Sequence, residues 1–156
     1  MDMKTGEKAP DFKLFNTQKK EVSLSDLRGK NVLLLFYPFA FSGTCTTELC
    51  SIRDSFSIYN SANAEVFGIS CDSVFTQIRF KDEQKLNFEL LSDWNKEASR
   101  SYGSLYDSFV FGTKGVSKRS AFVIDKEGII RYAEVLETAG DQPNYKAIQD
   151  CLASLK

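Results

Sequence analysis

The sequence predicts an α/β domain with a mixed central sheet, and two observations carry this prediction. Continuous apolar runs at residues 32–37 and 64–70 are typical of central strands that are covered on both faces. Stretches with apolar residues three and four positions apart follow these runs, and they predict amphipathic helices. Alternating strands and helices in a chain of 156 residues indicate one domain, which we expect to span residues 1–156.

The first elements along the chain predict a small N-terminal hairpin. Residues 11–16 alternate polar and apolar side chains, as expected of a strand that pairs with residues 21–24. Residues 25–29 predict a single helical turn that ends at a glycine. The apolar run at residues 32–37 then supplies the first central strand.

The middle of the chain predicts two further pairs of helix and strand. The first helix covers residues 46–59 and leads into the strand at 64–70. The second helix covers residues 73–85 and leads into a strand at 88–91. A strand, a helix and a second strand in this order form a βαβ unit.

The last third of the chain predicts a second hairpin and a terminal helix. Strands at residues 120–125 and 129–135 are joined by Lys126-Glu127-Gly128, which is a typical hairpin connection. Residues 144–155 have the apolar spacing of a helix. A βαβ unit followed by two strands and a helix is the order of the thioredoxin-like fold, here with an N-terminal hairpin extension and a mixed central sheet.

Composition and charge exclude several classes of protein. The formal net charge is -1 and no basic run is longer than Lys19-Lys20, so we expect no nucleic-acid partner. The longest apolar run is too short to span a bilayer, so we expect no membrane partner. The first eight residues lack the apolar core of a signal peptide, so we expect the protein to begin near Met1 and to be cytoplasmic.

The side chains available for catalysis narrow the chemistry further. The chain has no histidine, which excludes Ser-His-Asp and Cys-His catalysis and removes the commonest ligand for zinc or copper. The four cysteines are Cys45, Cys50, Cys71 and Cys151, and no two of them are spaced as CxxC. We therefore expect no metal and no cofactor. We interpret Cys71 and Cys151 as small buried hydrophobic residues.

Cys45 stands where a central strand gives way to a helix. The strand ends at Tyr37-Pro38, and the amphipathic stretch begins directly after Cys45. The free backbone N–H groups and the positive dipole end of a helix start stabilise a thiolate, which is the nucleophilic form of cysteine. Pro38, Gly43 and the polar residues around Cys45 are not typical of a core position, so Cys45 is the candidate nucleophile.

Several segments of the chain resemble one family. The segment Pro38-Phe-Ala-Phe-Ser-Gly-Thr-Cys45 resembles the P-x-x-x-T/S-x-x-C motif of the peroxiredoxins, the alkyl hydroperoxide reductase and thiol-specific antioxidant superfamily. Segments in the same order as in that family lie at residues 6–12, 68–73, 91–93 and 119–125, so that the likeness covers nearly the whole chain. The resemblance implies a thiol-dependent peroxidase that reduces hydrogen peroxide and organic hydroperoxides.

The resemblance also implies a role for each motif residue. Cys45 is expected to attack the peroxide, and Ser42, where the family usually has threonine, to contact the thiolate and the peroxide oxygen. Pro38 is expected to shield the sulfur from water. Arg119 is expected to hold the thiolate and the peroxide together, and Glu48 to orient Arg119. Without the family register, a surface ion pair for Arg119 and a helix-dipole contact for Glu48 are the simpler interpretations.

Cys50 lies five residues after Cys45, where the Q-type peroxiredoxins, or bacterioferritin comigratory proteins, often have a resolving cysteine. An ideal helix places the two Cα atoms roughly 8–9 Å apart, and a disulfide needs less than about 7 Å. Resolution by Cys50 therefore requires the start of the helix to unwind, and we expect the reduced and disulfide forms to differ over residues 44–57.

Other interpretations stay open beside this one. Phe41-Ser42-Gly43 also resembles the F-T-G of the alkyl hydroperoxide reductase E type, many members of which use one cysteine and an external thiol. A peroxide sensor would use the same Cys45. A thiol-disulfide oxidoreductase would need CxxC, and a copper carrier would need a histidine.

The resemblance implies a thioredoxin-like reductant and either a monomer or a homodimer. The preferred peroxide depends on the shape of the pocket, for which the sequence offers only candidate residues. The aromatic residues Phe39, Phe41 and Trp94 are candidates for an apolar rim around Cys45.

Overall fold

The chain folds around a twisted seven-stranded sheet in this computed structural model, which describes residues 4–155. The strands are β1 (Lys13–Asn16), β2 (Glu21–Ser23), β3 (Asn31–Phe36), β4 (Ala64–Ser70), β5 (Glu89–Ser92), β6 (Leu105–Tyr106), β7 (Val116–Ser117), β8 (Ser120–Ile124) and β9 (Ile130–Val135). The α-helices are α1 (Gly43–Asp54), α2 (Phe56–Ser61), α3 (Val74–Gln84), α4 (Glu97–Ser101) and α5 (Tyr145–Ser154), with 3-10 turns at Leu24–Leu27 and Val110–Gly112.

The strand order in the main sheet is β2-β1-β5-β4-β3-β8-β9, and β6 pairs only with β7. Strand β4 lies parallel to both β3 and β5, whereas the pairs β1–β2, β1–β5, β3–β8 and β8–β9 are antiparallel. This confirms the predicted thioredoxin-like fold with a mixed central sheet and an N-terminal hairpin.

The apolar run of β3 is buried along its whole length because layers of side chains cover both faces of the sheet. Leu33 and Leu35 face a cluster that includes Leu49 from α1 and Ile148 from α5. Leu34 on the opposite face packs in a second cluster with side chains from α4 and the N-terminal segment. Alternate side chains of a strand point to opposite faces, so this single run supplies both cores.

The helices differ from the sequence-based predictions in two places. The helix predicted over residues 46–59 begins earlier, at Gly43, and is interrupted at Ser55, whose backbone angles (φ -108°, ψ 19°) leave the helical region. Helix α4 was not predicted, because five residues are too few for an apolar period to be visible. Its start is fixed by Asp93, whose carboxylate accepts the backbone N–H groups of Ala98 (3.1 Å) and Ser99 (2.7 Å).

Candidate active site

Cys45 lies in the first turn of α1, directly beyond the carboxyl end of β3. Helix α1 begins at Gly43 with Ser42 as its N-cap residue, so Cys45 is the third helical residue. The first N–H groups of a helix have no partners within it and carry the positive end of the dipole. The backbone therefore surrounds the sulfur with positive potential, although the Cys45 side chain is fully buried.

Arg119 reaches Cys45 from the neighbouring antiparallel strand. The register of β3 and β8 pairs Phe36 with Ser120, so Arg119 precedes β8 beside the loop that leaves β3. The guanidinium Nη2 lies 3.2 Å from the Cys45 Sγ atom, and Nε donates to the Ala139 carbonyl at 3.0 Å. Only 1% of Arg119 is exposed, so this cation is fixed inside the protein.

Glu48 completes a buried cluster of polar groups with Arg119 and Cys45. It lies three residues after Cys45, on the same side of α1, and its Oε1 accepts a hydrogen bond from Arg119 Nη1 at 2.5 Å. Burial raises the pKa of Glu48 to about 7, although the adjacent Arg119 guanidinium opposes the rise. For Arg119 itself, burial favours a lower pKa, but Glu48 and Cys45 outweigh burial and the net pKa is raised. Arg119 therefore stays a cation.

The loop between β3 and α1 is held by one carboxylate from the next strand. The Oδ2 atom of Asp72, just beyond β4, accepts the backbone N–H of Ala40 at 2.8 Å and the hydroxyl of Ser70 at 2.7 Å. This contact anchors the loop where Phe41 adopts a left-handed conformation (φ 70°). Sequence reasoning did not find Asp72, although the family-like segment at residues 68–73 contains it.

Ser42 and Pro38 lie in the wall of a pocket above Arg119. In this structure the Ser42 hydroxyl donates to the Phe39 carbonyl at 3.1 Å. The backbone carbonyl of Ser42 accepts from the N–H and the hydroxyl of Thr46 at the start of the helix. The pocket is lined by Pro38, Phe39, Ser42, Gly43, Thr44, Phe109, Val110, Phe111, Arg119, Ala139 and Gly140. The structure therefore brings Pro38, Ser42 and Arg119 to one pocket, beneath which Cys45 and Glu48 are buried.

The three aromatic residues proposed for a rim lie in different places. Phe39 lines the pocket, whereas Phe41 lies outside the pocket lining, is 45% exposed and packs one side of its ring on the buried Phe80, with centroids 5.0 Å apart. Trp94 lies in a separate depression with Phe15 and other residues, so its proposed place at the rim is wrong. Residues 109–111, which sequence reasoning missed, line the same pocket as Phe39.

The other three cysteines lie away from the pocket lining. Cys50, five residues along α1, is half-buried and its thiol contacts Gln84 Oε1 at 3.5 Å. Cys71 and Cys151 were interpreted as buried, and the structure leaves both of them partly exposed. Burial nevertheless raises the pKa of both thiols, which disfavours their thiolate forms. All four cysteines are free thiols.

A buried cation in contact with a cysteine at a helix start is suited to one kind of chemistry. It favours an ionised sulfur and holds oxygen atoms that gain negative charge beside it. Together with the thioredoxin-like fold, this arrangement defines an enzyme that reduces its substrate through a cysteine sulfur.

Comparisons with known proteins identify the family. Residues 5–133 match the AhpC/TSA family. The chain is 42% identical over 132 residues to the putative peroxiredoxin bcp of Coxiella burnetii, covering 83% of this chain and 87% of that protein. It is 37% identical over 154 residues to the putative peroxiredoxin bcp of Haemophilus influenzae, covering 98% of each. The crystal structure of peroxidoxin BcpB from Mycobacterium tuberculosis has a TM-score of 0.87 at 29% identity, over 99% of both chains.

The chain therefore belongs to the AhpC/TSA family, and it is a thiol-dependent peroxidase. The resemblance to the Q-type peroxiredoxins is confirmed by the two bacterial relatives and by a rice peroxiredoxin Q, which is 38% identical over 127 residues. Within residues 4–155, no helix combines the length and the apolar character needed to cross a membrane.

Proposed function

We propose that Cys45 is the residue that attacks the peroxide. The observation that carries this proposal is the 3.2 Å contact between its sulfur and the buried Arg119 guanidinium. The Cys45 thiolate attacks the terminal oxygen of R–O–OH, the S–O bond forms as the O–O bond breaks, and RO⁻ takes a proton to leave as the alcohol or water. The sulfur is oxidised by two electrons to sulfenic acid, and the peroxide is reduced.

The surrounding residues each act on one part of this step. Arg119 holds the thiolate and stabilises the negative charge that develops on the leaving oxygen, and Glu48 orients Arg119. The Ser42 hydroxyl turns from the Phe39 carbonyl toward the bound peroxide. Pro38 closes the loop side of the pocket and keeps water from the sulfur.

Cys50 resolves the sulfenic acid in our proposal. Its thiol condenses with the Cys45 sulfenic acid to give a disulfide and one water molecule. Because both residues lie in the uninterrupted helix α1, this step requires the first turns of α1 to unwind. The end of a helix is among the less costly regions of a protein to open. We expect the two redox forms to differ over residues 44–57.

A thioredoxin-like dithiol then reduces the disulfide by thiol–disulfide exchange, which returns Cys45 and Cys50 to thiols and leaves the reductant oxidised. This partner follows from membership of the family. The enzyme acts on hydrogen peroxide and organic hydroperoxides in the cytoplasm, as a monomer or a homodimer.

The test follows thiols and intact mass after one equivalent of hydrogen peroxide is added to the reduced protein. We expect rapid loss of two thiols and a Cys45–Cys50 disulfide on peptide mapping. Cys50→Ser should stop at a gain of one oxygen on Cys45, and Cys45→Ser should keep its remaining thiols. Cys151→Ser, which changes a thiol outside the pocket, should behave as the wild type.

The alternatives give different results in the same experiment. A wild-type protein that gains one oxygen on Cys45 and forms no disulfide would be a one-cysteine enzyme. Survival of all four thiols for minutes would contradict the role of Cys45 altogether. Peroxide consumption that continues with a thioredoxin system separates an enzyme from a sensor.

A further inference from the structure

One side of the active-site pocket is an aromatic wall, formed by Phe39, Phe109 and Phe111. The rings of Phe39 and Phe109 are stacked with centroids 5.9 Å apart. Phe109 stacks in turn on Tyr106, with centroids 4.5 Å apart and planes 6° from parallel. The wall is therefore rigid at its base, and Phe111 extends it outward with 97% of its surface exposed.

Phe111 is held in a conformation that its side chain disfavours. It has φ 59° and ψ 27° and is followed by Gly112 at φ 71°, as in a type I′ turn, where the first position favours Asn, Asp or Gly. The turn is closed by hydrogen bonds from the Thr113 N–H to the Val110 carbonyl (3.2 Å) and from the Phe109 N–H to the Thr113 carbonyl (2.8 Å).

Folding alone does not account for this residue. Phe111 is an aromatic residue at a turn position that favours Asn, Asp or Gly, and its exposed ring buries almost no apolar surface in the free protein.

The positions of Cys45 and Arg119 indicate which part of a bound hydroperoxide would contact the aromatic wall. In the proposed reaction the terminal oxygen of a hydroperoxide lies against the Cys45 sulfur and beside the Arg119 guanidinium, and both of these side chains are buried. The other oxygen and its substituent R then point out through the pocket that the aromatic wall, Ala139 and Gly140 line. Hydrogen peroxide has no substituent and reaches none of these rings.

We propose that the aromatic wall binds the apolar substituent of an organic hydroperoxide, and that Phe111 determines a preference for bulky aryl or acyl hydroperoxides over hydrogen peroxide. This inference rests on the proposed role of Cys45. The reaction is unchanged: sulfur takes the terminal oxygen, the O–O bond breaks, and the apolar alkoxide takes a proton and leaves as the alcohol along the wall. The substituent covers Phe111 only while substrate or product is bound.

The test compares two peroxides with a variant that keeps the turn. In Phe111→Asn the new residue suits the left-handed conformation, so the backbone is retained while the ring is lost. The second-order rate constant for oxidation of Cys45 is measured in single turnovers without reductant, with hydrogen peroxide and with cumene hydroperoxide. Phe75→Asn, which removes an exposed ring in another depression, is the matched control.

We expect Phe111→Asn to lower the rate constant for cumene hydroperoxide about tenfold, because the burial of about half a phenyl ring is lost. The rate constant for hydrogen peroxide should stay that of the wild type, and Phe75→Asn should change neither. Equal losses with both peroxides, or no loss with either, would overturn the proposal. Equal losses together with a smaller sedimentation coefficient would instead identify the wall as a contact between two copies of the chain.

The two proposals fail in different ways. If hydrogen peroxide does not oxidise Cys45 in the wild type, the proposed function fails and this inference fails with it. If hydrogen peroxide oxidises Cys45 normally and cumene hydroperoxide does not distinguish Phe111→Asn from the wild type, only the role of the wall is wrong.

Discussion

Each of the three nitrogen atoms of the Arg119 guanidinium contacts a different partner. Nη2 contacts the Cys45 sulfur, Nη1 donates to Glu48, and Nε donates to the Ala139 carbonyl. A lysine has no planar fork and cannot meet three partners in fixed directions. An acidic partner offsets part of the cost of burying this cation, and one uncompensated buried charge destabilises a protein by about 3–5 kcal/mol. Cys45 changes its chemical form in the proposed reaction, so the lasting acidic partner of Arg119 is Glu48.

Replacing Glu48 should reveal its part in the pH dependence. Burial raises the pKa of Glu48 to about 7, so its carboxylate takes a proton as the pH falls through that value and its hold on Arg119 weakens. We expect the rate of Cys45 oxidation by hydrogen peroxide to fall below about pH 7 partly for this reason. Glu48→Gln should be roughly tenfold slower at pH 8, by the loss of one charge-assisted hydrogen bond, and its profile should be flatter around pH 7.

The Glu48 carboxyl also makes the stability of the folded protein depend on pH. The folded pKa of about 7 lies above the ordinary value of 4.5, so the folded state holds this proton more tightly than the unfolded state. The contribution is fully present below pH 4.5 and is lost as the pH rises through about 7. Glu65→Gln, which changes an exposed ion pair with Lys30, is the control for the pH dependence of the oxidation rate and for that of stability. A Glu48→Gln profile that keeps the wild-type shape would contradict the assignment.

At the scale of elements, hydrogen bonds hold the start of α1 to the connection between β9 and α5. The Gln142 side chain donates from Nε2 to the Thr44 carbonyl at 3.1 Å, and Gln142 Oε1 accepts the hydroxyl of Tyr145 at the start of α5. Ala139 in the same connection accepts from Arg119. The turn of α1 that unwinds in the proposed resolving step is therefore hydrogen-bonded to a segment nearly one hundred residues further along the chain.

Gln142→Ala should accelerate the resolving step. Removing one hydrogen bond that exists only while the helix is closed lowers the free energy of opening by about 1 kcal/mol, which corresponds to about fivefold. We expect the disulfide between Cys45 and Cys50 to form about fivefold faster once the sulfenic acid is present, as followed by quenched alkylation and mass. The matched control is Gln149→Ala, because Gln149 donates to the Tyr59 hydroxyl outside the first turn of α1. An unchanged or slower disulfide step would show that opening of this turn does not limit resolution.

These contacts also show how far the sequence predicts the molecule. The long strands, the two hairpins and helices α3 and α5 follow from local periods, and residues 38–45 identify the cysteine and the family. The five residues of α4 and the two residues each of β6 and β7 show no apolar period in the sequence, so these three elements were not predicted. The hydrogen bond from Gln142 to the Thr44 carbonyl joins residues 98 positions apart, and no local sequence pattern predicts such a contact.

For the molecule as a whole, the proposed redox cycle disturbs one helix and spares the sheet. Leu49 of α1 belongs to the core cluster on its face of the sheet, whereas the strands β3, β4 and β8 are held by ladders that do not involve α1. We expect that unwinding through Cys50 would pull Glu48 and Leu49 out of their sites and leave Arg119 without its carboxylate partner. The sheet and the opposite core cluster keep their contacts.

The relative stability of the reduced and disulfide forms depends on three contributions: the disulfide itself, the loss of the partner of Arg119, and the exposure of Leu49. A disulfide that closes a loop of about six residues stabilises the folded state by roughly 2 kcal/mol through the unfolded chain. The uncompensated Arg119 costs about 3–5 kcal/mol, and exposure of Leu49 costs about 2 kcal/mol more. The losses exceed the gain, so we expect the disulfide form to be less stable than the reduced form by a few kcal/mol, with a melting temperature lower by about 5–15 °C.

Calorimetry and hydrogen exchange on the two redox forms check this expectation together. Exchange should become faster over residues 44–57 in the disulfide form, while the amides of β3 and β8 keep their protection. Cys50→Ser treated with the same peroxide gains an oxygen without a disulfide, so it separates the effect of oxidation from that of unwinding. A disulfide form that melts at or above the reduced form, with slow exchange throughout α1, would show that Cys45 and Cys50 do not pair within one chain. The sulfenic acid would then have to meet an external thiol, as in a one-cysteine enzyme.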